Sequence, residues 1–509
     1  NAVNNITNVR HMTMTTVEQW GVFEARFEGP RDGNPFQEVE LSAVFSTGHR
    51  TQQVKGFYDG DGVYVVRFMP DSEGAWTFRT ASNAAALDKR EGAFECVAPS
   101  AGNHGPVGVE KYHHFRYADG QFYSCIGTTC YAWIHQGEAL ARQTLDSLKN
   151  APFNKVRMTV FPKSYVYNEH DDPERFPFPL LKKGGSTWDG HWDSRGGTIE
   201  WAFDFTRFDT AFFRMLEERV RQLMEMNIEA DIILFHPYDR WGFAQMNRAI
   251  DLFYLRYVIA RLSAFRNVWW SLANEWDFMR SKSIEDFECI GRTIAECDPY
   301  HRLTGIHNGA KWFDHRRSWI THCSIQGHEF KIPQWRDEYH KPAVIDEMCY
   351  EGNIPLGWGN ISAAELVHRC WDAALNGGYP GHSEVYLTPE HVMWWNKGGT
   401  LKGESPARIA FLRTLMESGP DRGIDPQPQR MNGLWCGSKG DNWLLCYTGR
   451  SQPIEVLATL PAGRQYRLTH IDPWAMTITP TGTVITGASD QVRVPLTGKP
   501  YMAFLLEHT

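Results

Sequence analysis

The first hundred residues alternate between apolar and polar positions with a period close to two. The segments GVFEARFEG (21–29), EVELSAVFS (38–46) and GVYVVRFMP (62–70) each show this alternation, which is typical of strands that bury one face. Several short strands at this spacing predict an antiparallel β-sandwich of the immunoglobulin type. The proline- and glycine-rich stretch at 99–106 is predicted to be the linker that follows this sandwich.

From residue 107 to about 420, short apolar runs alternate with segments of helical periodicity, most clearly at 209–226 and 283–297. The runs are FYSCIGTT (122–129), NKVRMTVF (154–161), EADIILFH (229–236), NVWWSLANE (267–275), RLTGIHN (302–308), THCSIQGH (321–328), PAVIDEM (342–348) and NGGYPGHSEVY (376–386). Eight strands alternating with helices predict an α/β fold, a (β/α)₈ TIM barrel. A doubly wound open sheet is the alternative.

Two segments depart from this rhythm. Residues 162–203 are rich in proline and glycine and carry Trp188, His191 and Trp192. A long loop after the second strand would lie on the C-terminal face of a barrel, where active sites are found, or would simply cover it. From about residue 425 the alternation returns and predicts a small β-sandwich. The predicted domains are an N-terminal β-sandwich (1–105), the barrel (106–422) and a C-terminal β-domain (423–509).

Composition narrows the choice of partners. The chain of 509 residues has a net charge of -8 and no basic block, which argues against nucleic acid as a partner. No apolar run reaches the roughly 18 residues that would predict a membrane span. Ten cysteines without a CxxC pair or a zinc-type spacing predict no metal and lean towards a reducing, cytoplasmic compartment. No signal peptide is visible, but one already removed would leave the same sequence, so the protein could be secreted.

Two glutamates follow apolar strands at matching positions. Glu275 ends the fourth run, after Asn274, and Glu347 ends the seventh. The C-terminal ends of barrel strands meet at the active-site mouth, and the fourth and seventh strands lie across it from each other. Two carboxyls in unlike environments can cleave a glycosidic bond, and a separation of about 5–5.5 Å makes the reaction retaining. The pair therefore predicts a retaining glycoside hydrolase with Glu275 as acid/base, Glu347 as nucleophile and no cofactor.

The motifs LANEWD and VIDEM resemble the strands that carry the catalytic glutamates in clan A glycoside hydrolases. The whole layout is similar to a group of glycosidases with an N-terminal sandwich of unknown function, a cellulase-like barrel and a small C-terminal β-domain. This resemblance implies a carbohydrate substrate. It also implies substrate-binding roles at matching strand ends, for Asn274, Arg157, His236, His307 and Asn308.

The chain departs from the clan pattern at two strands. The sixth run ends in Gln326, Gly327 and His328, where the clan commonly has a tyrosine that touches the nucleophile. His328 or Tyr350 could take its place. Near the eighth strand, Tyr386 and the adjacent Trp394 and Trp395 are the candidates for a sugar subsite, or they simply pack.

Several alternatives stay open. Glu384 could act on the substrate or replace Glu347. Asp346, next to Glu347, should point away from the mouth by strand alternation and have a structural role. Arg157 should keep Glu347 ionised, and an apolar pocket near Trp276 should raise the pKa of Glu275.

At the level of function, a non-catalytic carbohydrate-binding protein and a surface adhesin are the competing classes. The long second loop favours exo action, and an exposed sandwich face could form a homo-oligomer. The sequence does not predict the sugar, its anomeric configuration or its ring form.

Overall fold

The computed structural model describes residues 15–169, 171–185 and 199–509. Its N-terminal part is a β-sandwich of a five-stranded sheet, ordered β1-β8-β7-β3-β4, and a three-stranded sheet, ordered β2-β6-β5. The elements are β1 (Thr16–Glu18), β2 (Phe23–Glu28), α1 (Pro35–Glu38), β3 (Leu41–Thr47), β4 (Arg50–Lys55), β5 (Phe57–Tyr58), β6 (Val63–Phe68), β7 (Gly74–Ser82) and β8 (Glu91–Val97). The alternating segments place aromatic rings between the sheets, where Phe45 stacks on Phe68 with ring centroids 4.1 Å apart. The predicted sandwich is confirmed.

The central part is a closed barrel of eight parallel strands, as the sequence predicted. Its strands in chain order are β12 (Gly127–Thr129), β13 (Lys155–Thr159), β16 (Glu229–Phe235), β17 (Val268–Ala273), β18 (Thr304–Gly305), β19 (Cys323–Gln326), β20 (Ala343–Glu347) and β22 (Tyr379–His382). Each lies inside one of the eight apolar runs. The first and last strands pair, and a bridge from His307 to Ser324 joins the fifth strand to the sixth. These pairings exclude the open sheet.

Helices follow the barrel strands and cover the outside of the barrel, except for the short helix Trp394–Lys397, which lies at the mouth after the eighth strand. They are α2 (Glu138–Lys149), α3 (Thr210–Glu225), α4 (Arg248–Leu262), α5 (Ile284–Cys297), α6 (Ile332–Tyr339), α7 (Ala363–Leu375), α8 (Trp394–Lys397) and α9 (Ser405–Glu417). The predicted segment 209–226 is α3, and Ser283 begins α5 with a capping box to Asp286. Residues 309–320, all described, contain no helix, so the fifth strand returns to the sixth through a loop.

Shorter strands close both ends of the barrel. The strands β9 (Val107–Glu110), β10 (His114–Tyr117) and β11 (Phe122–Tyr123) form a small antiparallel sheet at the strand N-termini. There Phe115 packs against Trp269 and Tyr379. At the other end lie β14 (Leu180–Lys182), β15 (Ala202–Phe203), β21 (Glu351–Gly352) and β23 (Glu384–Val385). Trp188, His191 and Trp192 of the long second loop lie outside the described residues.

The C-terminal part is a small antiparallel sandwich. Its strands are β24 (Asp425–Pro426), β25 (Trp435–Ser438), β26 (Trp443–Tyr447), β27 (Glu455–Ala458), β28 (Gln465–Asp472), β29 (Thr477–Thr486), β30 (Val492–Pro495) and β31 (Ala503–His508). A six-stranded sheet faces the β27–β30 pair across a core that includes Leu444, Leu468 and Val494. All ten cysteines are free thiols. Among the described residues, no helix is both long and apolar enough to cross a membrane.

Buried ion pairs fix the N-terminal sandwich to the barrel. Arg67 of β6 donates to Glu217 of α3 at 2.9 Å, and Asp59 accepts from Arg261 of α4 at the same distance. All four side chains are at least 94% buried. Because an unpaired charge at such depth is costly, these contacts require one relative placement of sandwich and helices.

A second charge network runs through the barrel interior. Lys155 Nζ lies 2.7 Å from both Asp231 and Asp346, and Ser324 donates to Asp346. The charge of Lys155 holds the pKa of Asp346 well below its usual range although burial opposes this. Three strands are therefore tied together by one ammonium group.

Replacing Lys155 with methionine should lower the free energy of unfolding by about 3–5 kcal/mol, because it leaves buried Asp231 without its ion-pair partner and buried Asp346 with only Arg157 at 4.0 Å as a counter-charge. Denaturant unfolding followed by circular dichroism measures this. The control is Lys149→Met, which breaks only the exposed pair with Asp146 and should cost about 0–1 kcal/mol. Equal stability of the two variants would contradict the structural role of Lys155.

Candidate active site

A cavity of about 340 Å³ opens at the C-terminal ends of the barrel strands. Both Glu275 and Glu347 line it, as the sequence predicted from their matching positions. The other lining residues are Tyr131, Lys163, Tyr165, Tyr238, Phe278, Gln326, Gly327, His328, Cys349, Tyr350, Trp358 and Trp395. Segments that follow seven of the eight strands contribute to this wall, which is how the barrel gathers side chains that are distant in sequence.

Glu347 is aimed by an irregularity in the seventh strand. Ile325 pairs with Ile345 but Gln326 pairs with Glu347, so β20 has one residue more than β19 at this point. Such a bulge breaks the strict alternation of faces. Asp346 consequently lies inside the barrel, bonded to Lys155, and does not line the cavity. Simple alternation gives the wrong face for Asp346, but its expected structural role agrees with this contact.

Several donors surround the Glu347 carboxylate. Arg157 Nη1 lies 3.0 Å from its Oε1, and the hydroxyl of Tyr131 donates to the same oxygen. Tyr350 presents a second hydroxyl to it and lowers its pKa. The phenol expected from the sixth strand is therefore supplied by the first strand and by the seventh loop, while Gln326 occupies the sixth-strand position.

Glu275 follows the fourth strand in a left-handed backbone conformation, with φ 48° and ψ 56°. This region is costly for a residue with a Cβ and is found where function requires it. The turn directs the side chain into the cavity, where its Oε2 accepts from the hydroxyl of Tyr238 and from Asn274 Nδ2 at 3.1 Å.

One hydrogen-bonded path connects the two glutamates. Asn274 Oδ1 accepts from Arg157 Nη2 at 2.8 Å and lies 3.2 Å from the Tyr131 hydroxyl oxygen, and its amide donates to Glu275. Arg157 and Tyr131 in turn both donate to Glu347. Asn274 and Arg157 thus hold the carboxyls in register from below, and neither lines the cavity.

Burial changes the protonation of both glutamates. It raises the pKa of Glu347 to about 8, against the hydroxyl of Tyr350. It also raises the pKa of Glu275, against Tyr238, the charge of Lys163 and Gln326. The sequence predicted the direction for Glu275. For Glu347, the guanidinium of Arg157 favours the anion, but burial shifts the pKa the other way.

Three predicted binding residues support the site from behind instead of lining it. His236 accepts from the backbone of Tyr238 at 3.2 Å and so shapes the turn that carries this tyrosine. His307 lies under both glutamates, with Nε2 3.9 Å from Glu347 and Nδ1 3.4 Å from the Glu275 amide. Asn308 bonds the backbone of Gln326. His328 does line the cavity, at its exposed rim.

The candidates near the eighth strand lie elsewhere. Glu384 is buried, and its carboxylate accepts from the backbone amides of Lys402 and Gly403 at the start of the α9 segment. Tyr386 donates to Glu351 at 2.6 Å beside it. Neither lines the cavity, so Glu384 is not placed to replace Glu347.

Trp394 is also turned away from the cavity. Its ring is buried and its Nε1 donates to Thr128 at 2.8 Å. The neighbouring Trp395 faces the cavity instead. A difference of one position within a short helical turn decides which of two adjacent tryptophans meets a ligand.

Sequence reasoning missed Tyr131, Lys163 and Tyr238. The signal that could have found them is their position within a few residues of a strand end. Their side chains are polar or aromatic, the types that fix a ligand in a barrel mouth.

Comparison with protein families gives three matches along the chain. The model described as "Apiosidase-like, catalytic domain" matches residues 110–419. Models of two domains of unknown function, DUF5060 and DUF5605, match residues 16–83 and 433–507. No curated protein matches the sequence.

Solved structures give a similar result. A protein of Bacteroides vulgatus described as a "putative glycoside hydrolase" is 36% identical over 97% of this chain and 100% of its own, with a TM-score of 0.90. A family 5 glycoside hydrolase from the same organism is 14% identical, covers 80% of this chain and 93% of its own, and has a TM-score of 0.57, which shows a shared fold. The relationship to glycoside hydrolases that the motifs predicted is confirmed.

Glu384→Gln should leave carbohydrate turnover unchanged, because Glu384 lies outside the cavity. Burial and the nearby Glu351 carboxylate raise the pKa of Glu384 to about 7. A raised carboxyl pKa stabilises the fold at low pH, and this contribution is lost as pH rises through about 7. The wild type should therefore lose about 1–3 kcal/mol relative to the variant between pH 5 and 8. Denaturant unfolding of both proteins at pH 5 and pH 8 measures this difference in stability. Loss of turnover in the variant would contradict the position of Glu384 outside the cavity.

Proposed function

Because the chain belongs to the family of Apiosidase-like catalytic domains, we propose that it is a retaining glycoside hydrolase in which Glu275 is the acid/base and Glu347 the nucleophile. The observation that carries this proposal is the shared cavity. Two buried glutamates from the fourth and seventh strands line it, and each accepts hydrogen bonds from its own set of donors.

The proposed reaction has two steps. The Glu347 carboxylate attacks the anomeric carbon while the carboxylic acid of Glu275 gives its proton to the leaving oxygen, which forms a covalent glycosyl-enzyme. Glu275, now a carboxylate, removes a proton from water as the water attacks the same carbon. The sugar leaves with its configuration retained, and both glutamates recover their starting states.

The donors around each glutamate support these different roles. Arg157, Tyr131 and Tyr350 all face Glu347. They stabilise its anion before attack and its departure as a leaving group in the second step. Glu275 has neutral donors at bonding distance, Tyr238 and Asn274, which tolerate a protonated carboxyl more readily.

The size of the cavity favours a short substrate. Its volume, about 340 Å³, lies near the lower end of ligand pockets, which span about 300–1,000 Å³. We therefore favour exo action at the end of an oligosaccharide. The substrates to be tested are aryl pyranosides and furanosides, and the family description is the reason to include an apioside among them.

Substituting each glutamate with glutamine distinguishes the nucleophile from the acid/base. Glu347→Gln should abolish turnover on every glycoside. Glu275→Gln should lose about 10²–10⁴-fold on substrates with poor leaving groups, since they need the proton, and much less on activated aryl glycosides. Steady-state kinetics on both kinds of substrate measure this, with Glu384→Gln as the matched control.

A fluorinated analogue of the best substrate should leave an adduct on the peptide that contains Glu347, detected by mass spectrometry. An adduct on another residue would refute the assignment. Binding without turnover by the wild type would instead indicate a non-catalytic carbohydrate-binding protein.

Two tyrosines should shift opposite limbs of the pH profile of kcat/KM. Glu347 must be ionised, so activity falls as pH drops below its pKa, and Glu275 must be protonated, so activity falls as pH rises above its own. Tyr350→Phe removes a nearby hydroxyl that lowers the pKa of Glu347, so the acid limb should move to higher pH. Tyr238→Phe does the same for Glu275 and should move the alkaline limb to higher pH.

The control for both is Tyr112→Phe, at an exposed position outside the cavity, which should leave both limbs in place. If each variant moved the other limb instead, the roles of the two glutamates would be exchanged.

A further inference from the structure

Lys163 lines the catalytic cavity just beyond the second barrel strand. Its side chain is 96% buried, and its ammonium group lies among four aromatic rings of the wall. The distances from Nζ to the ring centroids are 3.5 Å for Tyr131, 4.5 Å for Tyr238, 4.6 Å for Trp395 and 5.7 Å for Tyr165. Ring faces attract a cation, but they do not accept its three N–H bonds as oxygen atoms would.

The other buried lysines of the described residues each have a bonded acceptor, which is a carboxylate for all except Lys439, whose Nζ donates to the Ser418 carbonyl. Lys155 bonds Asp231 and Asp346, and Lys282 bonds Asp251. Across the described residues, no carboxylate oxygen lies within 4.0 Å of Lys163 Nζ and no acceptor bonds it. Burial lowers its pKa to about 7, and the charge of Glu275 opposes this. A buried ammonium that faces a cavity without a counter-ion in direct contact is costly unless a ligand supplies one.

The proposed reaction is a second reason to expect an anionic ligand beside the Lys163 ammonium. Positive charge develops on the sugar ring in the oxocarbenium-like transition state. The charge of Arg157 is balanced by Glu347 at 3.0 Å, whereas that of Lys163 has no equivalent. An unbalanced cation near the reacting carbon would raise the barrier for a neutral substrate, and a negative group on the substrate would remove this penalty.

We propose that Lys163 binds an anionic substituent of the substrate, a carboxylate or a sulfate ester on a sugar next to the scissile bond. The enzyme then acts on acidic glycans. This inference rests on the proposed glycosidase function and names the substrate class of the same cavity. The caged ammonium is fixed in place before binding, so little of the interaction is lost to ordering a flexible chain.

The test compares matched aryl glycosides that differ only in charge: a neutral sugar, its uronic acid counterpart and its 6-O-sulfated form. Wild-type kcat/KM should be about 10–100-fold higher on at least one anionic form. Which form is preferred distinguishes carboxylate from sulfate. Lys163→Met should remove this preference by losing rate on the anionic substrate alone, and Lys163→Arg should retain part of it.

Two controls keep the result specific. Lys55→Met, which removes an exposed charge in the N-terminal sandwich, should keep the wild-type preference. The melting temperature of each variant shows whether it is folded. If Lys163→Met does not fold, the rates of Lys163→Arg and the binding of the free uronic acid to Glu347→Gln test the same contact.

Equal kcat/KM of the wild type on neutral and anionic glycosides would overturn the proposal, and so would an equal loss on both in Lys163→Met. The second outcome would show that Lys163 acts on Glu275 and not on the substrate. Absence of hydrolysis on every glycoside by the wild type would instead defeat the glycosidase function itself.

Discussion

Burial of charge inside the barrel is the constraint on which the site depends. Asp231, Lys155, Asp346, Arg157 and Glu347 alternate in sign, with contacts of 2.7 to 4.0 Å from one to the next. Since an unpaired charge in the interior costs several kcal/mol, each member fixes the position of its neighbours. The proposed nucleophile is the outermost member of this series, so the stability of the barrel core and the placement of Glu347 have one physical cause.

Two local departures from regular backbone turn this rigid interior into a site. The bulge before Glu347 lets two successive residues leave the alternation of faces, so that Asp346 joins the core and Glu347 reaches the cavity. The left-handed turn at Glu275 directs the other carboxyl across the mouth. Both irregularities lie at strand ends, where fewer ladder hydrogen bonds are lost, and the buried network beneath them offsets their cost.

The sequence predicted the barrel and both glutamates because periodicity and strand-end position are local properties. It failed where the answer depends on how a loop turns. Trp394 and Trp395 are identical in type and adjacent, and only the short helix α8 decides that the second faces the cavity. Glu384 ends an apolar run as Glu275 and Glu347 do, but it binds backbone amides of the chain that follows. Lys163 gave only a positional signal, its place just after the second strand, because the rings that surround it come mainly from three other segments.

The flanking sandwich acts on the site through the barrel helices and not through the cavity. Arg67 and Asp59 reach buried partners on α3 and α4, the helices that flank β16, which leads to Tyr238. The strand after α4 ends at Glu275, so the helices clamped by the sandwich connect to the acid/base side of the mouth. The nucleophile side is held by the interior network instead. Arg157 and Asn274 join the two sides, so the separation of the glutamates depends on a hydrogen-bonded path that they share.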